Sequence, residues 1–212
     1  MTAQLVLYTD ANFFSPYAMA AYVALAEKDL AFKVSPVDLA KGEQHRPEYR
    51  ALSATGKVPL LVQGDFRLAE SSAITEYVSE AFPGRSLYPA DMRERAQARQ
   101  IQAWVRTDLG VVRQERSSEN MFRKPAKPLP ALSDAAQQAA NKLIAFSEQA
   151  LPHGKNQLFS SWSIADFELA FMLNRLVSVS DPVPARLVEY VHSQWNRASV
   201  QRWVALQSSR AQ

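Results

Sequence analysis

Segments with strand character are confined to the first 70 residues of this 212-residue chain, and this asymmetry constrains the fold most. The run "LVLYT" at 5–9 is typical of a buried strand, and a helical pattern from Pro16 to Lys28 and a second strand, "AFKVSPV", follow it. Next come the weakly helical "GEQHRPEYRAL", the strands "VPLLV" and "FRLA" around the turn "QGD", and a helix from Ser71 that ends at Pro83. The predicted order is β-α-β-α-β-β-α.

The remainder of the chain shows only helical patterns. After the turn-rich segment "PGRSLYPAD", apolar residues recur at helical spacing from Ile101 to Val112, and a second helical pattern covers 134–151. Further helices are predicted to start near Ser163, Pro184 and Ser199. We therefore predict an α/β domain over 1–84 and an all-α domain over 90–212.

The tetrapeptide "SIAD" at 163–166 marks the start of one of these helices. A serine at the N-cap and an acidic residue three positions later form a capping box, which pairs the first backbone N–H groups of the helix. We therefore assign Ser163 and Asp166 a role in folding and not in catalysis.

Composition excludes several classes of protein. No apolar run approaches the roughly 20 residues that a membrane span needs, and "MTAQLVLYTD" lacks the basic start of an export signal, so we expect a soluble cytoplasmic protein. The net charge of +3 is too small to indicate a nucleic-acid partner, and the basic "FRKPAKP" is expected to be a solvated loop. Because the chain has no cysteine, any thiol chemistry must use a thiol brought by a ligand.

A metal site is not expected either. The histidines His45, His153 and His192 are far apart in sequence, and none has an acidic or histidine partner at metal-ligand spacing.

The hexapeptide "NFFSPY" at 12–17 admits two interpretations. Ser15 and Pro16 are typical of a helix start, because serine caps the first N–H groups and proline lacks an N–H that would be unpaired there. A helix N-terminus also attracts negative charge, so the Ser15 hydroxyl and the same N–H groups can face an anionic ligand. These residues alone leave both roles open, and the two roles are compatible.

Four segments, taken in order, resemble the glutathione transferases. They are "NFFSPY", "GKVPLLV" at 56–62, "LAESSAITEYV" at 68–78, and "SIADFELA" at 163–170 together with the later "RASVQRW". The chain is most similar to bacterial members that carry serine at the active position, and the resemblance covers essentially its whole length. It implies a thioredoxin-like N-terminal domain, an all-helical C-terminal domain, glutathione as co-substrate without another cofactor, and a homodimer.

The resemblance also implies roles for individual residues. Ser15 matches the position that meets the glutathione sulfur. Val58 precedes Pro59 in an implied cis peptide and turns its backbone toward the cysteinyl amide. Glu70 and Ser71, the latter predicted at a helix N-cap, match the positions that hold the γ-glutamyl ammonium and carboxylate.

Other matched positions are less specific. Lys57 and His45 correspond to residues that reach the glycyl carboxylate in some members, although His45 also fits an ordinary surface histidine. The second substrate is expected in a pocket between the domains, with Phe14, Trp104 and Arg106 as candidate lining residues. The spacing of Trp104 equally fits core packing, and the phenylalanine can face either pocket or core.

The implied chemistry is attack by the glutathione thiolate on an electrophile or on an organic peroxide. A free thiol with a pKa of about 8.5 is mostly protonated at pH 7, and a shift of about two units, worth roughly 2.7 kcal/mol, makes it mostly thiolate. The Ser15 hydroxyl and a helix N-terminus can supply that shift. The alternative is a non-catalytic glutathione-binding or protein-docking module with the same fold.

Overall fold

The computed structural model describes residues 4–208. In that range the chain divides into two compact units. The first contains the chain up to Leu87 and the segment from Ala198 onward, and the second runs from Tyr88 to Arg197.

The first unit is built on a mixed sheet that has four strands within the described residues. Its elements are β1 (Leu5–Asp10), α1 (Pro16–Glu27), β2 (Phe32–Val37), a 3₁₀ turn (Glu43–His45), α2 (Pro47–Leu52), β3 (Leu60–Gln63), β4 (Phe66–Ala69) and α3 (Ser71–Ala81). The strands lie in the order β2-β1-β3-β4, with β1 parallel to β2 and antiparallel to β3, and β3 antiparallel to β4. The predicted thioredoxin-like βαβαββα order is confirmed.

Helix α1 lies in the core of the first unit. Every residue from Ala18 to Ala26 is buried, which is the pattern of a helix that is apolar on all sides. Small alanines let α1 pack closely, and it contacts both α3 and β1.

The second unit is all-helical over its described residues. It consists of α4 (Met92–Thr107), α5 (Gly110–Glu115), a 3₁₀ turn (Ser118–Met121), α6 (Asp134–Ala150), α7 (Ile164–Val177) and α8 (Ala185–Trp195). Helix α7 is buried from Ile164 to Leu176 and contacts α4, α6 and α8. The single helix expected through Val112 is wrong, because the chain leaves helical geometry at Leu109, just before the poor helix former Gly110.

The capping box predicted at the start of α7 is present. Asp166 is fully buried and accepts the N–H of Ser163 at 2.8 Å and the N–H of Leu158 at 2.7 Å. The Tyr190 hydroxyl also donates to this carboxylate, at 3.3 Å. Burial raises the pKa of Asp166 to about 6, although these donors act in the opposite direction.

The last helix, α9 (Ala198–Ser208), belongs to the first unit, where it packs against α1. The sequence-based division instead places 90–212 in one helical domain. The two divisions differ because helical periodicity shows that α9 has an apolar face but not which element covers it. No helix within the described residues is long and apolar enough to cross a bilayer.

Candidate functional site

The strand register of the first unit brings several loops to one end of the sheet, which we call the site end. Strand β2 runs parallel to β1 with Val37 opposite Asp10, so both strands finish there. Strand β3 begins there, because Leu60 lies opposite Tyr8 of the antiparallel β1. Strand β4 finishes there, because Ala69 lies opposite Leu60.

The candidate glutathione-binding residues all lie on these converging loops. They are Ser15 after β1, His45 after β2, Lys57, Val58 and Pro59 before β3, and Glu70 and Ser71 after β4. The sheet register therefore collects in one place residues that are up to 56 positions apart in sequence, from Ser15 to Ser71 (71 − 15).

Ser15 is the N-cap of α1, and Pro16 is the first helical residue. The Ser15 Oγ accepts the N–H of Ala18 at 3.2 Å, so the helix-cap interpretation of "NFFSPY" is confirmed. A hydroxyl that accepts one hydrogen bond keeps its own hydrogen to donate in another direction. The cap therefore leaves Ser15, which is half-buried, able to donate to a ligand atom at the start of α1.

Asp10, at the end of β1, organises the loop that leads to Ser15. Its carboxylate accepts the N–H of Phe14 at 2.7 Å and the N–H of Ser15 at 3.1 Å. The side chain is only 6% exposed, and burial raises its pKa above the ordinary value for aspartate. Sequence reasoning missed Asp10; the available signal was an acidic residue at a strand end, where aspartate commonly bonds the backbone of the following turn.

Phe13, in the same loop, has a backbone conformation that bulky residues rarely adopt. Its φ of 57° is left-handed, a region that costs a bulky residue on the order of 1–3 kcal/mol. The ring is buried and meets the ring of Trp203 edge-on at 5.2 Å. Phe13 is therefore a core residue, whereas Phe14 is half-buried.

The peptide between Val58 and Pro59 is cis, as the resemblance implies. Pro59 is buried, and half-buried Val58 packs with the cluster that contains Tyr49. The Tyr49 hydroxyl donates to the Lys57 carbonyl oxygen at 2.7 Å, which ties down the segment before β3. Burial raises the pKa of Tyr49 to about 12, so this donor keeps its proton at neutral pH.

Glu70 and Ser71 form the start of α3, with one correction to the predicted cap. The N-cap is Glu70, whose carbonyl oxygen accepts the N–H of Ile74 at 2.9 Å, and Ser71 is the first helical residue. The difference arises because Glu70 is left-handed, with φ 68°, so the chain enters the helix only after it. Ser71 is 4% exposed and Glu70 is exposed, so an acid and the positive end of α3 share the site end.

Two basic residues lie on the solvent side of these loops. His45 is exposed at the end of the 3₁₀ turn, with its Nε2 at 3.1 Å from the side-chain nitrogen of Gln44. Lys57 is also exposed. Neither position conflicts with a role in holding a carboxylate.

Trp104 and Arg106, expected to line the second-substrate pocket, have contacts inside the second unit. The ring of Trp104 packs on Phe146 at 4.5 Å between centroids, and its Nε1 donates to Asp108 at 2.8 Å. Arg106 forms an ion pair with the buried Glu168. An open cleft of about 440 Å³ in this unit is lined by Gln100, Ala103, Trp104, Thr107, Lys142 and Phe146.

Within residues 4–208, no three or more histidine, aspartate or glutamate side chains lie together in a way suited to a metal ion.

Two profiles of one protein family match this chain. "Glutathione S-transferase, N-terminal domain" matches residues 13–86, and "Glutathione S-transferase, C-terminal domain" matches residues 91–209. Among curated proteins, glutathione S-transferase F10 of Arabidopsis thaliana is 44% identical over 82 residues, 38% of each chain. Glutathione S-transferase T1 of the same plant is 30% identical over 189 residues, which are 79% of this chain and 69% of the relative. This chain therefore aligns with well under half the length of the first of these relatives.

Solved structures show the same likeness. A glutathione transferase homolog from Burkholderia, solved with bound glutathione, is 37% identical with a TM-score of 0.78, over 97% of this chain and 98% of that one. A homolog from Sulfitobacter, also with bound glutathione, is 25% identical with a TM-score of 0.69, over 94% and 96% of the two chains. With both halves of the chain matched by its profiles, the protein belongs to the glutathione S-transferase family.

Proposed function

We propose that this protein is a glutathione transferase that binds glutathione at the site end of its first unit. Glutathione is the co-substrate, and the proposed reaction requires no metal or further cofactor. The thiol ionises beside Ser15, and the thiolate attacks a small electrophile or reduces an organic peroxide. The observation that carries the proposal is the convergence of a capping hydroxyl, the Val58–Pro59 turn and the start of α3 at one end of the sheet.

Each part of glutathione has a matching group in the proposed arrangement. The start of α3 suits the γ-glutamyl carboxylate, because helix N-termini present N–H groups and positive charge. Glu70 suits the adjacent ammonium group. The backbone of Val58 suits the cysteinyl amide, and Lys57 and His45 suit the glycyl carboxylate.

The Ser15 hydroxyl stabilises the thiolate because a hydrogen bond to a charged acceptor is stronger than one to a neutral acceptor. Its oxygen is already held by the N–H of Ala18, so its direction of donation is restricted before the ligand arrives. The Asp10 carboxylate accepts the N–H groups of Phe14 and Ser15 and so fixes the loop that carries this hydroxyl. The homologs from Burkholderia and Sulfitobacter, solved with bound glutathione, support glutathione as the ligand.

The function is tested by retention of the purified protein on immobilised glutathione, followed by turnover assays with a panel of electrophiles and organic peroxides. Retention with turnover is the expected result. Retention without turnover on any panel member would favour the non-catalytic glutathione-binding module. Failure to bind glutathione would contradict both the transferase and that module and would favour the protein-docking module.

Replacing Ser71 by alanine is expected to weaken glutathione binding by about tenfold to a hundredfold. The variant loses a hydroxyl at the start of α3, and a hydrogen bond to a charged group contributes roughly 1.5 to 3 kcal/mol. Isothermal titration calorimetry measures the effect. Ser72→Ala is the matched control, since the carbonyl oxygen of Ser72, which accepts the Thr75 hydroxyl at 2.9 Å, is kept in that variant. Equal affinities for the wild type and Ser71→Ala would remove Ser71 from the site.

We further propose that the protein is a homodimer, a property that rests on the family and not on a contact in this structure. Light scattering at micromolar concentration is expected to give twice the mass of one chain. A monomer mass under those conditions would contradict the proposal.

A further inference from the structure

Two side chains hold the loop from Asp10 to Ser15 through hydrogen bonds to its backbone. One is a carboxylate that accepts, and the other is an indole that donates. Asp10 holds the two backbone N–H groups nearest the serine, those of Phe14 and Ser15. The second side chain is Trp203 of α9, whose Nε1 donates to the Phe13 carbonyl oxygen at 2.9 Å. The two residues are 190 positions apart in sequence.

Trp203 is well suited to hold this loop still. Its side chain is 0% exposed, and its ring meets the rings of Phe13 and Tyr22 edge-on at 5.2 Å and 5.3 Å. Tyr22 belongs to α1, the helix that Ser15 caps. The indole therefore contacts the loop and the helix on either side of the serine.

The left-handed backbone of Phe13 needs support from the residues around it. A bulky residue remains at φ 57° only where its surroundings determine that conformation. Trp203 contributes both a ring contact and a hydrogen bond to Phe13 itself. Because Phe13 lies two residues before Ser15, a change in its backbone rotates the serine relative to the site end.

We propose that Trp203 is a positioning residue for the reaction: it holds Phe13 in its left-handed conformation and so directs the Ser15 hydroxyl toward the glutathione sulfur. This inference rests on the proposed function. Trp203 itself does not touch the reacting atoms and acts only through the loop.

The decisive variant is Trp203→Phe, which keeps an aromatic ring in α9 and removes the N–H donor. The pKa of the bound glutathione thiol is expected to rise by about half a unit to one unit, and kcat at neutral pH to fall about three- to tenfold. The KM for glutathione is expected to change less than about twofold, because the peptide contacts lie on other loops. Backbone N–H exchange at Phe14 and Ser15, followed by NMR, is expected to become faster.

Ser199→Ala is the matched control in the same helix. The Ser199 hydroxyl donates to Glu27 Oε1 at 2.6 Å, so this variant also removes a hydrogen bond between α9 and α1 but does not touch the loop. The thiol pKa and kcat of Ser199→Ala are expected to equal those of the wild type. If Trp203→Phe does not fold, Phe13→Leu removes the ring contact from the other side and is expected to raise the thiol pKa in the same way.

The outcomes separate this inference from the proposed function. Wild-type protein that binds no glutathione would overturn the proposed function and this inference with it. Glutathione bound and ionised equally by the wild type, Trp203→Phe and Phe13→Leu would overturn the inference alone. An equal rise in thiol pKa in Ser199→Ala would also overturn it, because the effect would then reflect general loosening of α9.

Discussion

Replacement of Ser15 by alanine is expected to leave glutathione affinity nearly unchanged and to lower turnover at neutral pH by about tenfold or more. The hydroxyl donates to the sulfur once the thiol has ionised, whereas the proposed peptide contacts come from Val58, Glu70 and Ser71. Losing a hydrogen bond to a charged acceptor, worth roughly 1.5 to 3 kcal/mol, raises the pKa of the bound thiol by one to two units. Some thiolate remains, because the N-terminus of α1 still attracts negative charge.

The measurement is a spectrophotometric pH titration of bound glutathione at the thiolate absorbance, with kcat and KM determined on the same samples. Ser133→Ala is the matched control, because Ser133 caps α6 by accepting the N–H of Ala136 at 3.3 Å and lies in the second unit. It loses a helix cap of the same kind without changing the site. Coincident titration curves for the wild type and Ser15→Ala would show that Ser15 is only a cap, and the exposed Asn12 would be the next donor to replace.

Replacement of Asp166 by alanine is expected to cost about 3 to 5 kcal/mol of folding free energy. The variant leaves the buried N–H groups of Leu158 and Ser163 without their acceptor, whereas the Tyr190 hydroxyl keeps the backbone carbonyl oxygen of residue 166 at 2.9 Å. The midpoint of thermal unfolding should fall by about 10 °C for a chain of this size. Calorimetry measures this shift, and Asp134→Ala, an exposed acid in the first turn of α6, is the matched control with a change of under about 1 kcal/mol.

The pH dependence gives a second test of Asp166. Its folded-state pKa of about 6 lies above the ordinary value of 3.8, so the folded protein binds the proton more tightly than the unfolded chain does. The stability that this group contributes is therefore greatest at low pH and falls as pH rises through that interval. The difference in stability between the wild type and Asp166→Ala should be larger at pH 5 than at pH 7 by about 1 kcal/mol. A variant that melts together with Asp134→Ala at both pH values would contradict this role.

Local signals in the sequence determined most of the secondary structure and the two helix starts that matter here. Ser15 with Pro16, and Ser163 with Asp166, act within one helical turn, so their residue types are sufficient to predict a cap. The strand and helix order of the first unit follows from short apolar runs and turn residues in the same way. Local signals are not sufficient where neighbouring ones compete. Helical geometry is interrupted at Leu109 although the apolar spacing continues, and the N-cap of α3 is Glu70 and not Ser71.

The tertiary structure alone decided which distant groups surround the serine. Asp10 is recognisable in sequence only as a polar residue after a strand, and its buried contact with the loop depends on how β1 and α1 are packed. The contact of Trp203 with Phe13 joins residues 190 positions apart, and so no local pattern predicts it. Periodicity shows that a helix has a face to bury, but the partner is chosen by the packing of the whole unit. For that reason the sequence by itself determined that Ser15 caps a helix, and the fold decided which distant side chains hold the loop that leads to it.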